Sequence, residues 1–269
     1  MLRGFYTAAS GMIAQQRKTD LLTNNMANSN TPGFKSDQSA IRAFPEMLLQ
    51  RLDKKSIPVE NSISYSRFQN IGALNTGVYL QEAIPKFLQG DMQETGLKTD
   101  LAIIDLNGNK SSAFFTVQDQ KGETKYTRNG NFTIDPNGYL TTANGLYVLD
   151  NQQNKIRLNS DQFEVSSNGT ITGDGTRAQL GIVYSNNPEK LMKEGDGLYR
   201  TENNRELPNA ANNQYRLQQG FLERSNVDIS QTMTDMLSTY RSFEANQKVL
   251  QAYDKSMERA VNEIGRVNG

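Results

Sequence analysis

Apolar residues recur along the C-terminal stretch at alternating steps of four and three positions, and no proline or glycine interrupts them before Gly265. Steps of this kind place the apolar side chains on one narrow stripe of an α-helix. The helix would be about 50 Å long at a rise of about 1.5 Å per residue. The positions of this predicted seam are Ile229, Met233, Met236, Tyr240, Phe243, Gln247, Leu250, Asp254, Met257, Val261 and Ile264.

A stripe this narrow and long requires another helix to cover it. The ordinary alternative is that it forms the core face of a surface helix. We favour a coiled-coil contact, because helices of globular proteins usually end within about 20 residues. Gln247 and Asp254 are the polar seam positions. They are either exposed at an imperfect seam or fix the register with a partner helix.

A second apolar stripe predicts an N-terminal helix over residues 2–28. A run rich in asparagine ends it, and Thr31-Pro32-Gly33 then has the proline and glycine of a type II turn. The seam positions of this helix are Leu2, Phe5, Ala9 and Met12. Because neither terminal helix can bury its stripe alone, we expect the two to pair.

Between these helices, apolar and polar residues alternate with a period of two from residue 101 to residue 149, which is typical of half-buried strands. The predicted strands cover residues 113–117, 126–128, 132–134, 139–142, 146–149, 163–165, 170–172 and 179–184. Asn129-Gly130 is a strong signal for a tight turn and predicts a hairpin between the strands that flank it. Asn144-Gly145 predicts another.

The segment before residue 90 is mixed. Residues 43–52 predict a short helix, with Pro45 in the first turn, where proline is tolerated. Residues 54–77 are polar and predict a loop or extended arm. Pro85 argues against a central strand over residues 78–90.

The predicted fold class is therefore α+β, with a central all-β domain inserted between N- and C-terminal helices that pair as a coiled-coil stalk. Residues 1–33 with 226–269 form the terminal helical assembly domain. Residues 34–79 with 215–225 form an extended connecting arm, and residues 80–214 form the central β domain.

Composition narrows the range of functions. The 29 lysines and arginines balance 29 aspartates and glutamates, which gives no electrostatic argument for a nucleic-acid partner. The chain has no cysteine and no histidine, which excludes thiolate metal sites and histidine-containing catalytic triads. No apolar run is long enough to span a membrane, and the N-terminus lacks a cleavable secretory signal. We therefore predict no enzyme activity, no catalytic, cofactor or metal residues, and no membrane insertion.

One stretch imitates a metal site. Asp105, Asn107 and Asn109 are spaced like the start of a calcium loop. The sixth and twelfth positions are Lys110 and Thr116, where such a loop has glycine and glutamate. An ordinary turn rich in asparagine and glycine explains these residues better.

Motifs at both ends and in the middle of the chain resemble those of bacterial flagellar basal-body rod and hook proteins. The matching stretches are AASGM (8–12), NNMANSNTPGFK (24–35), DLAI (100–103), YTRNGNF (126–132), SNVDI (225–229) and RSFEANQKV (241–249). The motif residues are Asn24, Asn25, Ala27, Asn28, Thr31, Pro32, Gly33, Phe34, Ser225, Asn226, Val227, Glu244 and Asn246. The family usually runs through a short glycine-rich turn where residues 105–110 are longer here.

The resemblance implies a structural subunit of the basal-body rod, which polymerises into the axial tube that transmits motor torque to the hook. Residues 44–77 look most like the distal-rod type. The implied partners are other copies, related rod and hook subunits, and the flagellar type III export apparatus. The implied location is extracytoplasmic, in the basal body, after export without signal cleavage. Two other classes stay open, namely a soluble coiled-coil adaptor or chaperone of flagellar assembly and a carboxylate-based hydrolase of cell-wall glycan.

An isolated helix with an uncovered stripe is marginal in water, so we expect both termini to be largely mobile in the free monomer and to order on polymerisation. Amide hydrogen exchange on a proven monomer checks this. Weak protection over residues 230–260 is expected, and strong protection throughout would contradict it.

Overall fold

A computed structural model describes residues 2–56, 64–106, 111–158, 160, 162–173, 175–203 and 205–264. The chain divides into two compact units. Unit 1 comprises Met1–Leu22, Ser39–Ala83 and Thr234–Gly269, and unit 2 comprises Thr23–Gln38 and Ile84–Met233. The three-part division predicted from the sequence stays a prediction.

Both predicted terminal helices are present. Helix α1 spans Leu2–Ala27 and helix α2 spans Ile229–Arg259, which a π-helical turn over Ala260–Ile264 follows. The carboxylate of Asp228 accepts the Gln231 N–H at 3.0 Å, which caps the free amides at the start of α2. None of the described helices is long and apolar enough to cross a membrane.

The predicted corner after α1 is also present. The Phe34 N–H donates to the Thr31 carbonyl at 3.2 Å, and Gly33 has a φ of 69°. A type II turn needs this left-handed conformation at its third position, which glycine adopts without strain.

The first four strands are β1 (Asp37–Ala43), β2 (Met47–Ser56), β3 (Ser64–Leu74) and β4 (Val78–Pro85). They form two antiparallel ribbons, β1 with β4 and β2 with β3. The helix predicted over residues 43–52 is therefore wrong. Of the two alternatives predicted for residues 54–77, an extended segment is present where β3 lies. Cross-strand pairing overrides the helical spacing here, because Met47 lies opposite Leu74 and Leu48 opposite Ala73.

The β-strands of unit 2 follow in two groups. The first group is β5 (Met92–Glu94), β6 (Leu101–Asp105), β7 (Ser112–Gln118), β8 (Thr124–Thr127), β9 (Phe132–Ile134), β10 (Leu140–Thr142) and β11 (Tyr147–Val148). The second is β12 (Glu164–Val165), β13 (Thr170–Gly173), β14 (Thr176–Gln179), β15 (Ile182–Ser185), β16 (Leu191–Lys193), β17 (Leu198–Thr201), β18 (Tyr215–Gln219) and β19 (Phe221–Glu223). Short 3-10 turns occupy Pro188–Lys190 and Gly195–Gly197.

The largest sheet has the order β16-β17-β8-β7-β11-β10-β9, and β15 pairs with β7. Strands β18 and β6 form a separate antiparallel pair, as do β19 and β5. The core of unit 2 contains Leu101, Phe115, Leu140, Phe163 and Ile171, all nearly inaccessible to solvent. The predicted mostly-β central region between two terminal helices is thus confirmed.

The hairpin predicted at Asn129-Gly130 is wrong. Strand β8 pairs with β7 and β17, whereas β9 pairs with β10. Gly130 instead lies against the backbone of Leu101, whose N–H donates to the Gly130 carbonyl at 3.0 Å. A Cβ on Gly130 would overlap the Leu101 carbonyl oxygen, so glycine permits a close crossing here and does not turn a hairpin.

One turn geometry recurs in unit 2. The leading residue accepts two backbone N–H groups through its side chain, from the second and fourth residues beyond it; at Asp135 these bonds are 3.0 and 2.6 Å. Asp119, Asp135 and Asp150 lead turns of this kind. The third residue after each of these leaders is Gly122, Gly138 or Gln153, with φ of 86°, 84° and 65°. The exposed Gln153 thus occupies a conformation that its glycine counterparts adopt more easily.

Gln153→Gly should therefore raise the free energy of unfolding by about 0.5–1 kcal/mol, because relief of left-handed strain outweighs the added chain entropy. Urea unfolding measures the change. The matched control is Gly122→Ala, which meets no neighbouring atom and should lower stability by a similar amount. A shift in the same direction for both variants would contradict this account.

Candidate functional site

A cluster of buried charges lies inside unit 2, built from segments far apart in the sequence. Lys35 follows the corner after α1, Arg128 follows β8, and Glu223 ends β19. The three residues are only 1–2% exposed. Charged side chains are almost never buried this deeply unless they are paired, and all three are paired here.

Arg128 has a partner for every donor. Its Nε donates to Glu223 Oε2 at 2.6 Å, and Nη1 donates to Asp105 Oδ1 at 3.0 Å and to the Ala113 carbonyl at 2.6 Å. Nη2 donates to the Ile103 carbonyl at 3.0 Å and lies 2.9 Å from Asp105 Oδ2. A guanidinium has five N–H groups, and all five are used here.

Glu223 is satisfied in the same way. Its Oε1 accepts from Lys35 Nζ at 2.6 Å and from the Gly90 N–H at 2.8 Å. Its backbone carbonyl accepts the Gly33 N–H at 2.7 Å. Lys35 Nζ also donates to the Leu88 carbonyl at 2.7 Å. One carboxylate therefore joins the corner after α1 to the last strand of the β domain.

Electrostatics favours the charged forms of Glu223 and Arg128. Burial alone raises the pKa of Glu223, but the positive Arg128 and Lys35 beside it lower that pKa below the ordinary value. Burial lowers the pKa of Arg128, but Glu223 and Asp105 raise it by more, so the guanidinium stays charged. The pKa of Lys35 is lowered, because burial and the positive Arg128 together outweigh the attraction of Glu223.

Two asparagines hold the segments around the cluster. Asn25, near the end of α1, donates to the Asp37 carbonyl at 2.8 Å and accepts the Asp37 N–H at 2.9 Å. Asn226, before α2, accepts the Ser36 N–H at 2.7 Å and donates to the Lys86 and Leu88 carbonyls at 2.7 and 3.1 Å. The last turn of α1 and the segment before α2 are thereby tied to residues 36 and 37, which follow the corner.

The remaining motif residues in unit 2 support the same corner. Asn28 Oδ1 accepts the Thr31 hydroxyl at 3.1 Å, and Ser225 Oγ accepts the Val227 N–H at 3.3 Å. Phe34 is buried beneath Lys193, whose Nζ lies 3.9 Å from the ring centroid. Asn24 and Ala27 are exposed, and Pro32 is half-buried.

The predicted seam of α2 separates into two rows of residues. Met236, Phe243, Leu250 and Met257, at seven-residue intervals, are half-buried. We call the other row the outer stripe: Met233, Tyr240, Gln247, Asp254 and Val261, all exposed. Met233, Tyr240 and Val261 are 54%, 55% and 71% exposed. Ile229 is also exposed, and the side chain of Ile264 lies outside the described residues.

A different set of residues replaces the outer stripe on the covered side of α2. Thr232, Thr239, Asn246, Tyr253 and Ala260 are buried or half-buried, each one position before an outer-stripe residue. The Thr232 and Thr239 hydroxyls donate to carbonyls one turn back at 2.6 and 2.7 Å. The covered side of α2 is therefore partly polar, whereas Met233, Tyr240 and Val261 of the outer stripe are exposed.

Within unit 1, glycines of α1 face polar residues of α2. A Cβ on Gly4 would overlap the Tyr253 hydroxyl, and one on Gly11 would lie 3.0 Å from Asn246 Nδ2. Glycine at these two positions leaves room for the side chains of Tyr253 and Asn246, and Asn246 is a motif residue. Pairing of the two helices as a coiled coil stays a prediction.

The predicted seam of α1 is only partly covered. Phe5, Ala9 and Met12 are half-buried, and the side chain of Leu2 lies outside the described residues. The buried apolar residues of α1 are Ala8, Ala14 and Leu22. Glu244, the other motif residue of unit 1, is half-buried.

Sequence reasoning missed Glu223 and the role of Asp105. Glu223 follows Phe221 and Leu222 in an apolar strand, and a lone acid in such a strand is a signal for a buried pair. The sequence indicates Asp105 as part of a lengthened turn and of a spacing that imitates a calcium loop. It accepts from Arg128, while residues 107–110 of that turn lie outside the described residues.

Three family descriptions match successive parts of the chain. "Flagella basal body rod protein" matches residues 5–35, "Flagellar hook protein FlgE/F/G D1 domain" matches residues 109–173, and "Flagellar basal body rod FlgEFG protein C-terminal" matches residues 218–263. Lys35, Arg128 and Glu223 fall one in each match, so the buried cluster joins the three matched regions.

Full-length relatives agree. The flagellar hook-basal body complex protein FlhO of Bacillus subtilis (strain 168) is 45% identical, over 99% of this chain and 100% of the relative. The flagellar basal-body rod protein FlgG of the same strain is 33% identical, over 97% and 99%. FlgF of Caulobacter vibrioides (strain ATCC 19089 / CIP 103742 / CB 15), also a flagellar basal-body rod protein, is 31% identical over the whole of both chains.

The fold is a β domain in which buried charges join the corner after α1 to the last strand before α2. The chain belongs to the family of flagellar basal-body rod and hook proteins, and it is a structural subunit of that kind. The predicted resemblance is thereby confirmed. The comparisons give no support to the adaptor or the glycan hydrolase.

Arg128→Met should lower the free energy of unfolding by about 3–5 kcal/mol, because it leaves Glu223 and Asp105 buried without their shared partner. Urea unfolding monitored by circular dichroism gives the value. Arg216→Met is the matched control, since Arg216 is exposed on β18 and its loss should change stability by no more than about 0.5 kcal/mol. Equal losses would show that the buried network has no special weight.

Proposed function

We propose that the outer stripe of α2 is the surface through which this subunit contacts other copies and related rod and hook subunits in the axial tube. The observation that carries the proposal is the exposure of Met233, Tyr240 and Val261 at heptad spacing. Leu237, beside them, is 52% exposed. Full burial of one such side chain contributes about 1.5–3 kcal/mol, so a partner helix would gain from covering several.

The same surface supports an open-ended assembly. A contact made by one face of a subunit on a different face of the next continues into a helical filament when its rotation does not close a ring. A subunit that uses one side of α2 within its own chain and the outer stripe with neighbours would make such contacts. Gln247 and Asp254, both exposed in the outer stripe, would then act between subunits, where polar seam residues can specify register.

The location follows from family membership. The subunit would lie outside the cytoplasm in the basal body, after export by the flagellar type III apparatus without cleavage of a signal. Within the rod, we assign it to the distal type on the resemblance of residues 44–77. A structural subunit of the rod requires no catalytic group, and we infer that the protein is not an enzyme. Electron microscopy of basal bodies from a deletion strain tests the position, because assembly stops where the subunit is missing.

Met233→Asp and Tyr240→Asp should block incorporation into basal bodies and abolish motility, because each places a charge in the apolar contact. The purified variants should retain the circular dichroism and unfolding midpoint of the unmodified subunit, since both positions are exposed. Ala252→Asp adds a charge at an exposed position outside both rows and away from Leu237, and should leave motility intact. Motile cells with normal basal bodies from the outer-stripe variants would refute the proposal.

Leu250→Asp provides the complementary test. Leu250 is half-buried in the row that the chain itself covers. This variant should block assembly as well, but with a lower unfolding midpoint for unit 1. Loss of assembly without loss of stability would place Leu250 in the contact between subunits.

A further inference from the structure

Among the described ion pairs, the one that closes the longest loop lies in the buried cluster. Lys35 and Glu223 are 188 residues apart in the sequence, and Arg128 and Glu223 are 95 apart. Contacts of such separation are made late in folding, because loop-closure entropy opposes them until the rest of the chain is ordered.

Arg128 has nearer partners that form without the last strand. The Ala113 carbonyl is 15 residues away, and the Asp105 carboxylate is 23 residues away. Strands β6, β7 and β8 can therefore fold with the guanidinium neutralised by Asp105. Among the described residues, Lys35 and Glu223 have no ion-pair partner so near in the sequence, and each is paired only when β19 docks.

The energy of the docked pair is finely balanced. The attraction between buried charges is largely offset by the loss of their hydration, whereas one buried charge without its partner is strongly unfavourable. Undocking returns Lys35 and Glu223 to water together, so it avoids the unfavourable half-open state. The expected behaviour is an all-or-none local opening at a free energy below that of global unfolding.

We propose that residues 33–36 and residues 221–226 form a gate that undocks as one piece while the large sheet of unit 2 stays folded. Asn226, in the gate and before α2, accepts the Ser36 N–H, and Asn25, near the end of α1, pairs with Asp37, the residue that follows the gate. Closure of the gate therefore holds the last residues of α1 and the residues before α2 in place. The gate thus couples the order of the helix ends to a single buried carboxylate.

Acid should open the gate. The charged or titratable groups that act on Glu223 are Lys35 and Arg128, which contact it, and Asp105 and Tyr199, which interact through the same cluster. Beside Arg128 and Lys35 its pKa is lowered in the closed state, and it returns to the ordinary glutamate value when the gate opens into water. A lowered pKa favours the closed state above the ordinary value, and this advantage disappears as pH falls through the lowered value.

Native-state hydrogen exchange on the full chain tests the gate. The reporters are the amides of Gly90, which donates to the carboxylate of Glu223, and of Arg224, which donates to the Asp91 carbonyl; both bonds cross the boundary of the gate. The core references are the amides of Thr116 and Leu149, which bond within the large sheet. Corrected for intrinsic rates, the reporters should exchange at least about tenfold faster than the references, because local opening costs less than global unfolding.

Glu223→Gln should accelerate the reporters, whereas Glu94→Gln, on exposed β5, should not. Should Glu223→Gln not fold, the unmodified protein decides through its pH series. Lowering the pH from about 6 to about 3 should accelerate the reporters after correction for intrinsic rates, because protonation removes the attraction of Glu223 to Arg128 and Lys35. Reporters that exchange together with the references at every pH would overturn the proposal, as would an equal effect of Glu94→Gln.

Discussion

The Lys35–Glu223–Arg128 network is the constraint on which the arrangement of unit 2 depends. Burying a carboxylate is tolerable only if cations and hydrogen-bond donors surround it. Here the cations come from the corner after α1 and from the end of β8, and the carboxylate comes from the last strand. Withdrawal of the last strand alone would leave Lys35 buried without the carboxylate that pairs with it. The network therefore specifies which segments meet, whatever its net contribution to stability.

This requirement explains the glycines nearby. Gly33 brings the corner so close to Arg128 that an added Cβ would lie 2.5 Å from its carbonyl carbon. Gly90 approaches the backbone of Arg224 in the same way, while its own N–H reaches Glu223. Close backbone packing brings the donors within reach of the buried carboxylate. The TPG corner is thus both a turn and a part of the charge cluster.

The heptad pattern of helix α2 contains one covered row and one exposed row. The row that includes Phe243 and Leu250 is half-buried, and the outer stripe is exposed. The covered side takes Thr239 and Asn246 in place of larger apolar residues, which suits the close approach of a glycine-bearing helix. A chain that used its whole apolar seam internally would leave no surface for neighbours. The half-covered seam is therefore consistent with a subunit of an assembly.

Several features followed from the sequence alone because they depend on local chemistry. The period of α2, the stop after α1 and the turn at Thr31-Pro32-Gly33 need no distant partner. The motifs at the two ends were sufficient to indicate the family. Motif residues also form the corner and the asparagine contacts around it: Asn25, Asn28, Thr31, Pro32, Gly33, Phe34 and Asn226.

Tertiary structure decided what depends on contacts between distant segments. Met47–Ser56 carries helical spacing but is a strand, because β3 supplies its hydrogen bonds. Asn129-Gly130 has the composition of a tight turn but crosses Leu101, because Arg128 is held in the charge cluster. Glu223 could not be recognised as the centre of that cluster, since the residues that neutralise it lie 95 and 188 positions away. Local preference is read along the chain, whereas the pairing of buried charges is set by which segments meet in space.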